Sequence, residues 1–514
     1  MNERNRFGGN GLGLDDGLRL DSGDRETLGM NGPILSMLLP GMAGAMAWGI
    51  RGQYGHETGA MIAGVLIGFT IVLLHGRRLP PLVAARAVAM FALGISIGGC
   101  MTYGQTVGLT HDTPLVGNAA AYWWGMLGLA IKGGIWFSFG GAMFGMALGG
   151  KEHRPAELAL LFVAMMAALF AGMWLLNSPF DPENRLLPKI YFSDHWDWEP
   201  DVDRPRREKW GGLLASLLVL FFYLAAKRDW MAMSLGLWGL FGGALGFPAG
   251  QSIQACNAWH GDWIRSLPTA AVTNYFNWWN MMETTFGFVA GAIVGLGSWL
   301  HQSWIGSDLD ESAFVPNSGD SSLASEYDEA SGQRFFDPVL GLLLLMVHLC
   351  LLVAWNFQSI DFIDRFADLA IPMIILPTFC VLSGRYWPFL MSLPVVLVPI
   401  AGKTIRFRVF DQQTTSVETG WYLYVVLPLA LATLTVLFFA TRKSSRVQRW
   451  FVPTSLVVSV WLLFLLNDAF FYSPWVWLEW TGRTVNGLIF FVCSICLTLA
   501  ALWSCRLTDE LSDD

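Results

Sequence analysis

The chain has 514 residues, of which 54% are hydrophobic and 14% charged, with a formal net charge of -8. Soluble domains carry about a quarter charged residues, so this composition excludes an ordinary water-soluble enzyme. The acidic balance also excludes a basic surface for nucleic acid.

A helix needs about 20 apolar residues to cross about 30 Å of hydrocarbon. Unbroken apolar runs at 342–347 and 462–466 lack the alternation of a spanning strand. The expected fold class is all-α, a polytopic integral membrane helical bundle.

Residues 1–32 are polar, carry Arg4, Arg6, Arg19 and Arg25, and lack the apolar centre of a signal peptide. They are expected to form a disordered cytoplasmic tail. Apolar runs between charged or Pro-rich interruptions then predict fourteen spans, near 33–50, 58–75, 86–107, 121–149, 156–176, 210–226, 230–254, 277–300, 337–356, 367–383, 386–402, 421–440, 450–470 and 484–505. Only six of the 55 glycines lie beyond residue 336. Helices in lipid associate through close backbone approach, which small residues permit, so 33–302 reads as a tightly packed, Gly-rich eight-helix membrane domain. Residues 303–336 read as an acidic cytoplasmic linker, 337–505 as a six-helix membrane domain and 506–514 as an acidic cytoplasmic tail.

The third span ends in Gly98-Gly99-Cys100-Met101-Thr102-Tyr103-Gly104-Gln105-Thr106 and the seventh in Gly242-Gly243-Ala244-Leu245-Gly246-Phe247-Pro248-Ala249-Gly250-Gln251-Ser252. This likeness suggests two parallel four-helix repeats in the N-terminal part, an arrangement transporters use with the substrate between the halves. The competing explanation is chance resemblance among Gly-rich helices. Lys and Arg are retained on the cytoplasmic side during insertion. Arg77, Arg78, Lys151, Arg154, Lys227 and Arg228 then place both termini in the cytoplasm. The expected location is a bacterial inner (cytoplasmic) membrane.

The most informative segment joins the first two spans: Trp48-Gly49-Ile50-Arg51-Gly52-Gln53-Tyr54-Gly55-His56-Glu57-Thr58. Arg51 offers a planar fork for carboxylate or phosphate, His56 exchanges a proton near neutral pH, and Glu57 can accept one. The competing reading pairs Arg51 with Glu57 to fasten the turn. Lys132 lies well inside the fourth span, where an ammonium needs a buried partner or a watery cavity. Glu283 falls one position from it when the Gly-rich stretches are aligned, so the two are expected to face one central space. Asn274, Asn277, Asn280 and Glu283 recur at intervals of three and line one helical face. Gln53, Gln105 and Gln251 complete the expected binding or coupling set, near Trp123, Trp124, Trp259, Trp263, Trp278 and Trp279, which read mainly as an interfacial belt. Asp194-His195-Trp196-Asp197-Trp198-Glu199 offers carboxylates to a cation but reads as solvated surface.

There is no Walker loop, HExxH or GxSxG, and the seven cysteines form no disulfide framework. No cofactor and no metal centre is expected, and no catalytic residue is assigned. The preferred expectation is a secondary transporter or permease-like protein. It would move a polar, anionic small molecule by proton exchange at Glu57, Glu283 or His56. Membrane lipids and that solute would be its partners. The alternatives are a membrane-embedded, glycosyl transferase-like enzyme acting on a lipid-linked substrate at the outer face, and a non-catalytic scaffold.

Overall fold

The computed structural model describes residues 32–52, 54–76, 79–149, 151–202, 204–307, 346–347, 350–351, 387–442, 445–470 and 480–510. At 56, 57, 155, 387, 445, 446 and 507–510 it describes the backbone alone. Among these residues the chain is helical, with one isolated bridge between Asp181 and Leu186. The helices are α1 Pro33–Arg51, α2 His56–His75, α3 Pro81–Gly98, α4 Gly104–His111, α5 Ala119–Leu148, α6 Pro155–Leu176, α7 Trp210–Lys227, α8 Trp230–Ser266 and α9 Trp278–Leu300. They continue with α10 Trp387–Ser392, α11 Pro394–Ile405, α12 Leu427–Thr441, α13 Phe451–Phe470 and α14 Thr484–Glu510.

Eleven helices among the described residues are long and apolar enough to cross a membrane. The chain is an integral membrane protein of the all-α class on that basis. Of the fourteen spans expected, the one near 367–383 lies outside the described residues, as does the one near 337–356 apart from 346–347 and 350–351. The one near 386–402 is divided at Leu393, where Pro394 opens a new helix, so neither piece reaches spanning length. The third span is also shorter than expected. Gly98-Gly99 ends α3, because glycine gives a helix little support. The chain then runs irregularly to a separate α4.

Six helices close into a ring: α1 packs on α2, α2 on α3, α3 on α5, α5 on α8, α8 on α9, and α9 on α1. Glycine sets the seams. A Cβ at Gly243 would run into the Gly133 carbonyl, and one at Gly44 into the Gly287 carbonyl, so backbones touch directly at α5–α8 and at α1–α9. Aromatic rings fill the interior. Phe286 stacks on Phe247 with centroids 4.5 Å apart and meets Trp48 edge-on at 4.7 Å, while Trp48 meets Trp136 at 5.0 Å.

The α6–α7 pair stands outside the ring against α5 and α8, whereas the described C-terminal helices cover α1 to α3. This places α2 at the centre of the protein, with 94% of its spanning window buried. Its sequence agrees, since Thr58–His75 is apolar on every side, as buried helices are. The two suggested four-helix units are used differently: α2 packs along α3, but α7 packs chiefly on α6.

Tyr54 anchors the C-terminal helices. Its hydroxyl bonds the Thr404 hydroxyl and the Leu466 carbonyl at 3.2 Å each, and Lys403 donates to its carbonyl at 2.7 Å. At the far end of the bundle Asp229 caps α8 through Ala232 N at 3.0 Å and holds His153 Nε2 at 2.9 Å. His153 Nδ1 contacts the Tyr223 hydroxyl at 2.9 Å. Asp229→Ala removes both the cap and the imidazole's partner, so a loss of about 1–2 kcal/mol is expected. Thermal melting of the detergent-solubilised protein reads it, and an unchanged midpoint would deny Asp229 that role.

Helix α8 spans about 55 Å at 1.5 Å per residue, well beyond hydrocarbon thickness. It carries Pro248, and His260 leaves helical geometry at φ -131°, ψ 31°, which kinks the helix before its last turns, at the end of the bundle where the long loop between α6 and α7 lies. The ends of α1, α3 and α8 and the starts of α5, α7 and α9 meet there. We call this the loop end.

Candidate functional site: two buried ion pairs at the loop end

Arg51 is the last residue of α1, and its side chain turns into the ring with 1% exposure. Its Nη1 lies 3.0 Å from Glu283 Oε1, on the second turn of α9, and both Nη atoms donate to the Tyr103 hydroxyl at 2.7 Å. The guanidinium also sits 5.2 Å from the ring centroids of Trp48 and Trp136 and 5.4 Å from that of Tyr103. Such faces attract a cation, most strongly where water is excluded. Glu283 is held in turn: Trp279 Nε1 donates to Oε1 at 3.2 Å and Asn280 Nδ2 to Oε2 at 3.3 Å.

The local sequence explains this placement. Gly52 follows Arg51 directly, and a Cβ there would strike the Glu283 carboxylate. Gly55 precedes α2 at φ 88°, a left-handed conformation that glycine adopts without strain. The tight turn therefore brings α9 onto the end of α1. Asn280 Nδ2 fastens the same seam by donating to the Gly49 carbonyl at 2.6 Å.

Lys132, midway along α5, meets a different carboxylate. Its Nζ lies 2.6 Å from Glu208 Oε1 and 2.5 Å from Thr106 Oγ1, and both charged side chains have 0% exposure. Glu208 also accepts from Ser193 Oγ at 2.9 Å and from Phe192 N at 3.1 Å. The ammonium thus draws the long loop down into the protein. Glu208 is the residue that the sequence reading missed. Its signal was a carboxylate two positions before an apolar span, in a loop otherwise read as solvent-facing.

Lys132 and Glu283, expected to share one space, each have their own partner. The pairs are nonetheless adjacent. Tyr103, which binds Arg51, and Thr106, which binds Lys132, flank the start of α4, while Trp136 lies one turn along α5 from Lys132. The break after α3 makes this possible. A continuous helix would not redirect both side chains, and irregular backbone is tolerated here because protein surrounds it.

The remaining expected residues are placed as follows. Gln105 reaches the long loop, donating to the Arg204 carbonyl at 3.1 Å and accepting from Arg206 N at 2.6 Å. With Val202, Arg204, Pro205 and Arg206 it lines a cavity of about 760 Å³. Gln251 is buried on α8 and donates to Thr110 Oγ1 at 2.7 Å. Asn277 caps α9 by accepting from Asn280 N at 2.9 Å, and its own N–H donates to Asn486 on α14 at 3.1 Å. Gln53 and the side chains of His56 and Glu57 lie outside the described residues. The outward-facing tryptophans divide: Trp123 and Trp263 are exposed, whereas Trp124 donates to the Tyr191 carbonyl and Trp259 to the Thr110 carbonyl.

Comparison with family models, with curated proteins and with solved structures finds no match for this chain.

A third group of charges stands beside the second pair. One oxygen each from Asp112, Asp194 and Glu199 lies within 4.8 Å of the others. Asp194 is 4% exposed, which corrects the reading of solvated surface for that residue, whereas Asp197 in the same stretch is exposed. Burial and the neighbouring Glu199 and Asp112 push its carboxyl up to about 7, and burial with Asp112 raises Glu199.

Proposed function

We propose that this protein is a secondary transporter of a polar, anionic small molecule, held here in an occluded conformation. The observation that carries this reading is the Arg51–Glu283 pair, with both side chains at most 2% exposed inside a closed ring of membrane helices. Ionisable groups buried among membrane helices are costly and characteristically mark a substrate or proton path. A lipid-linked transferase would need a groove open sideways to lipid, and the ring encloses Arg51 instead.

The pair supplies a coupling step. Protonating Glu283 removes its charge and frees the guanidinium fork, which then accepts the solute's carboxylate or phosphate in its place. Proton and anion therefore travel together, and for a monoanion no net charge moves. Arg204 and Arg206, above Gln105 at the loop end, give an anion a favourable approach. We place both termini in the cytoplasm and the protein in a bacterial inner membrane, from the Lys and Arg distribution between the spans.

Proteoliposomes loaded with neutral buffer and diluted into acidic buffer with radiolabelled small carboxylates or phosphate test the reading. A pH gradient should drive uptake of a monocarboxylate, and a potassium diffusion potential should not. Glu283→Gln keeps an acceptor for Arg51 but carries no proton, so uptake should lose its dependence on the gradient. Absence of uptake across the panel, or gradient-driven uptake by Glu283→Gln, would overturn the proposal.

A further inference from the structure

Three carboxylates meet where α4 ends and the long loop folds back, and the chain holds each of them by separate means. Asp112 directly follows α4, with its N–H on the Gly108 carbonyl at 2.9 Å. Asp194 is drawn under the start of α4 by its N–H, which donates to the Gln105 carbonyl at 3.3 Å. Glu199 closes a turn by donating its N–H to the His195 carbonyl at 2.8 Å. Trp198 in that turn packs against the small apolar cluster of Leu109, Leu115 and Ala121. The loop is thus pinned to α4 with acid facing acid.

Among the described residues no Lys or Arg forms an ion pair with these three carboxylates. Lys132 is close enough to feel Asp194, but its ammonium is engaged by Glu208. His111 Nδ1 lies 3.6 Å from Asp112 Oδ1. His195 Nδ1 faces Asp197, which is not one of the three, at 3.6 Å. A second observation points to a ligand. Asp194 is buried, yet its Oδ1 has no hydrogen-bond partner among the described residues. A buried carboxylate oxygen without a donor costs free energy unless something else coordinates it.

We propose that Asp112, Asp194 and Glu199 form a binding site for a hard divalent cation, Ca2+ or Mg2+, between α4 and the long loop. Such cations take carboxylate oxygens and complete their shells with water or carbonyl oxygens. Two positive charges offset most of three carboxylates. Because Phe192 and Ser193, which bond Glu208, directly precede Asp194, the bound ion clamps the loop over the second ion pair. The site is independent of the transport reading.

The test uses the full chain in detergent after treatment with a chelator. Titration with Ca2+ and, separately, Mg2+ should raise the melting temperature by several degrees in a saturable way. The ion with the larger shift at equal concentration is the one the site takes. Terbium added in place of either ion should luminesce under tryptophan excitation, through Trp198 beside Glu199, and the preferred ion should quench that signal by competition. Asp194→Asn and Glu199→Gln should each abolish the melting shift and the competed luminescence. In chelator, Asp194→Asn should melt no lower than the parent, because it relieves carboxylate crowding. Equal cation responses in parent and variants would overturn the site. So would an Asp194→Asn loss of stability that is the same with and without cation, which would make Asp194 a counter-charge of Lys132.

Discussion

Glu208→Gln should destabilise the protein by about 3–5 kcal/mol, among the largest losses available to a single conservative change in this chain. The Lys132 ammonium then keeps Thr106 and a neutral amide oxygen as acceptors but has no counter-charge, in a site with no exposure. Most of that loss is the penalty of a buried charge left uncompensated. Lys132→Met, which leaves Glu208 as the orphan, should cost a similar amount. The double variant Lys132→Met/Glu208→Gln should recover much of the loss, because no charge remains and the glutamine oxygen can still accept from Phe192 N or Ser193 Oγ. Unfolding in a graded detergent mixture measures all three. Singles that unfold with the parent, or a double no better than the worse single, would mean that the pair does not carry this energy.

The second large effect concerns the α5–α8 seam. Gly243→Ala places a methyl group against the Gly133 carbonyl, which is backbone and cannot rotate away. The helices must separate along a contact that continues through Gly133, Gly239 and Gly141. A cost of about 3 kcal/mol is expected, at the upper end for overpacking. In lipid it falls on packing itself, since no hydrophobic exclusion compensates. Gly482→Ala is the control, because a Cβ there meets nothing within 4 Å. A lower melting midpoint and a smaller folded fraction are expected for Gly243→Ala only. Equal behaviour of the two variants would show that the seam yields without cost.

Much of this was legible from residue order, for a simple reason. Hydrocarbon thickness demands long apolar runs, and glycine marks where helices touch, so the eight spanning helices of α1 to α9, α4 excepted, and the close packing of that region follow from local pattern. Lys132 and Glu283 stood out because charge within an apolar run has to be answered somewhere. Their partners were not legible. Lys132 and Glu208 are separated by 76 positions and Arg51 and Glu283 by 232, so ring closure chooses the pairs, not spacing. The break after α3 was hidden because apolar content does not register helix support: Gly98 to Met101 are apolar enough to extend a span but too weak to sustain one. Asp194 was misread because sequence position in a polar loop does not reveal that the loop dips beneath α4.

Closure of the ring also sets an order of events in biosynthesis. The seam between α9 and α1 is the last to become available, since Glu283 is made 232 residues after Arg51. At about 5–20 residues per second, the ribosome delivers that carboxylate roughly 10–50 seconds later. During this interval the nascent chain has already threaded α1 with its guanidinium. The insertion machinery must therefore shelter one helix end until a distant one arrives, and a chain truncated before α9 would present quality control with a charge whose answer was never synthesised.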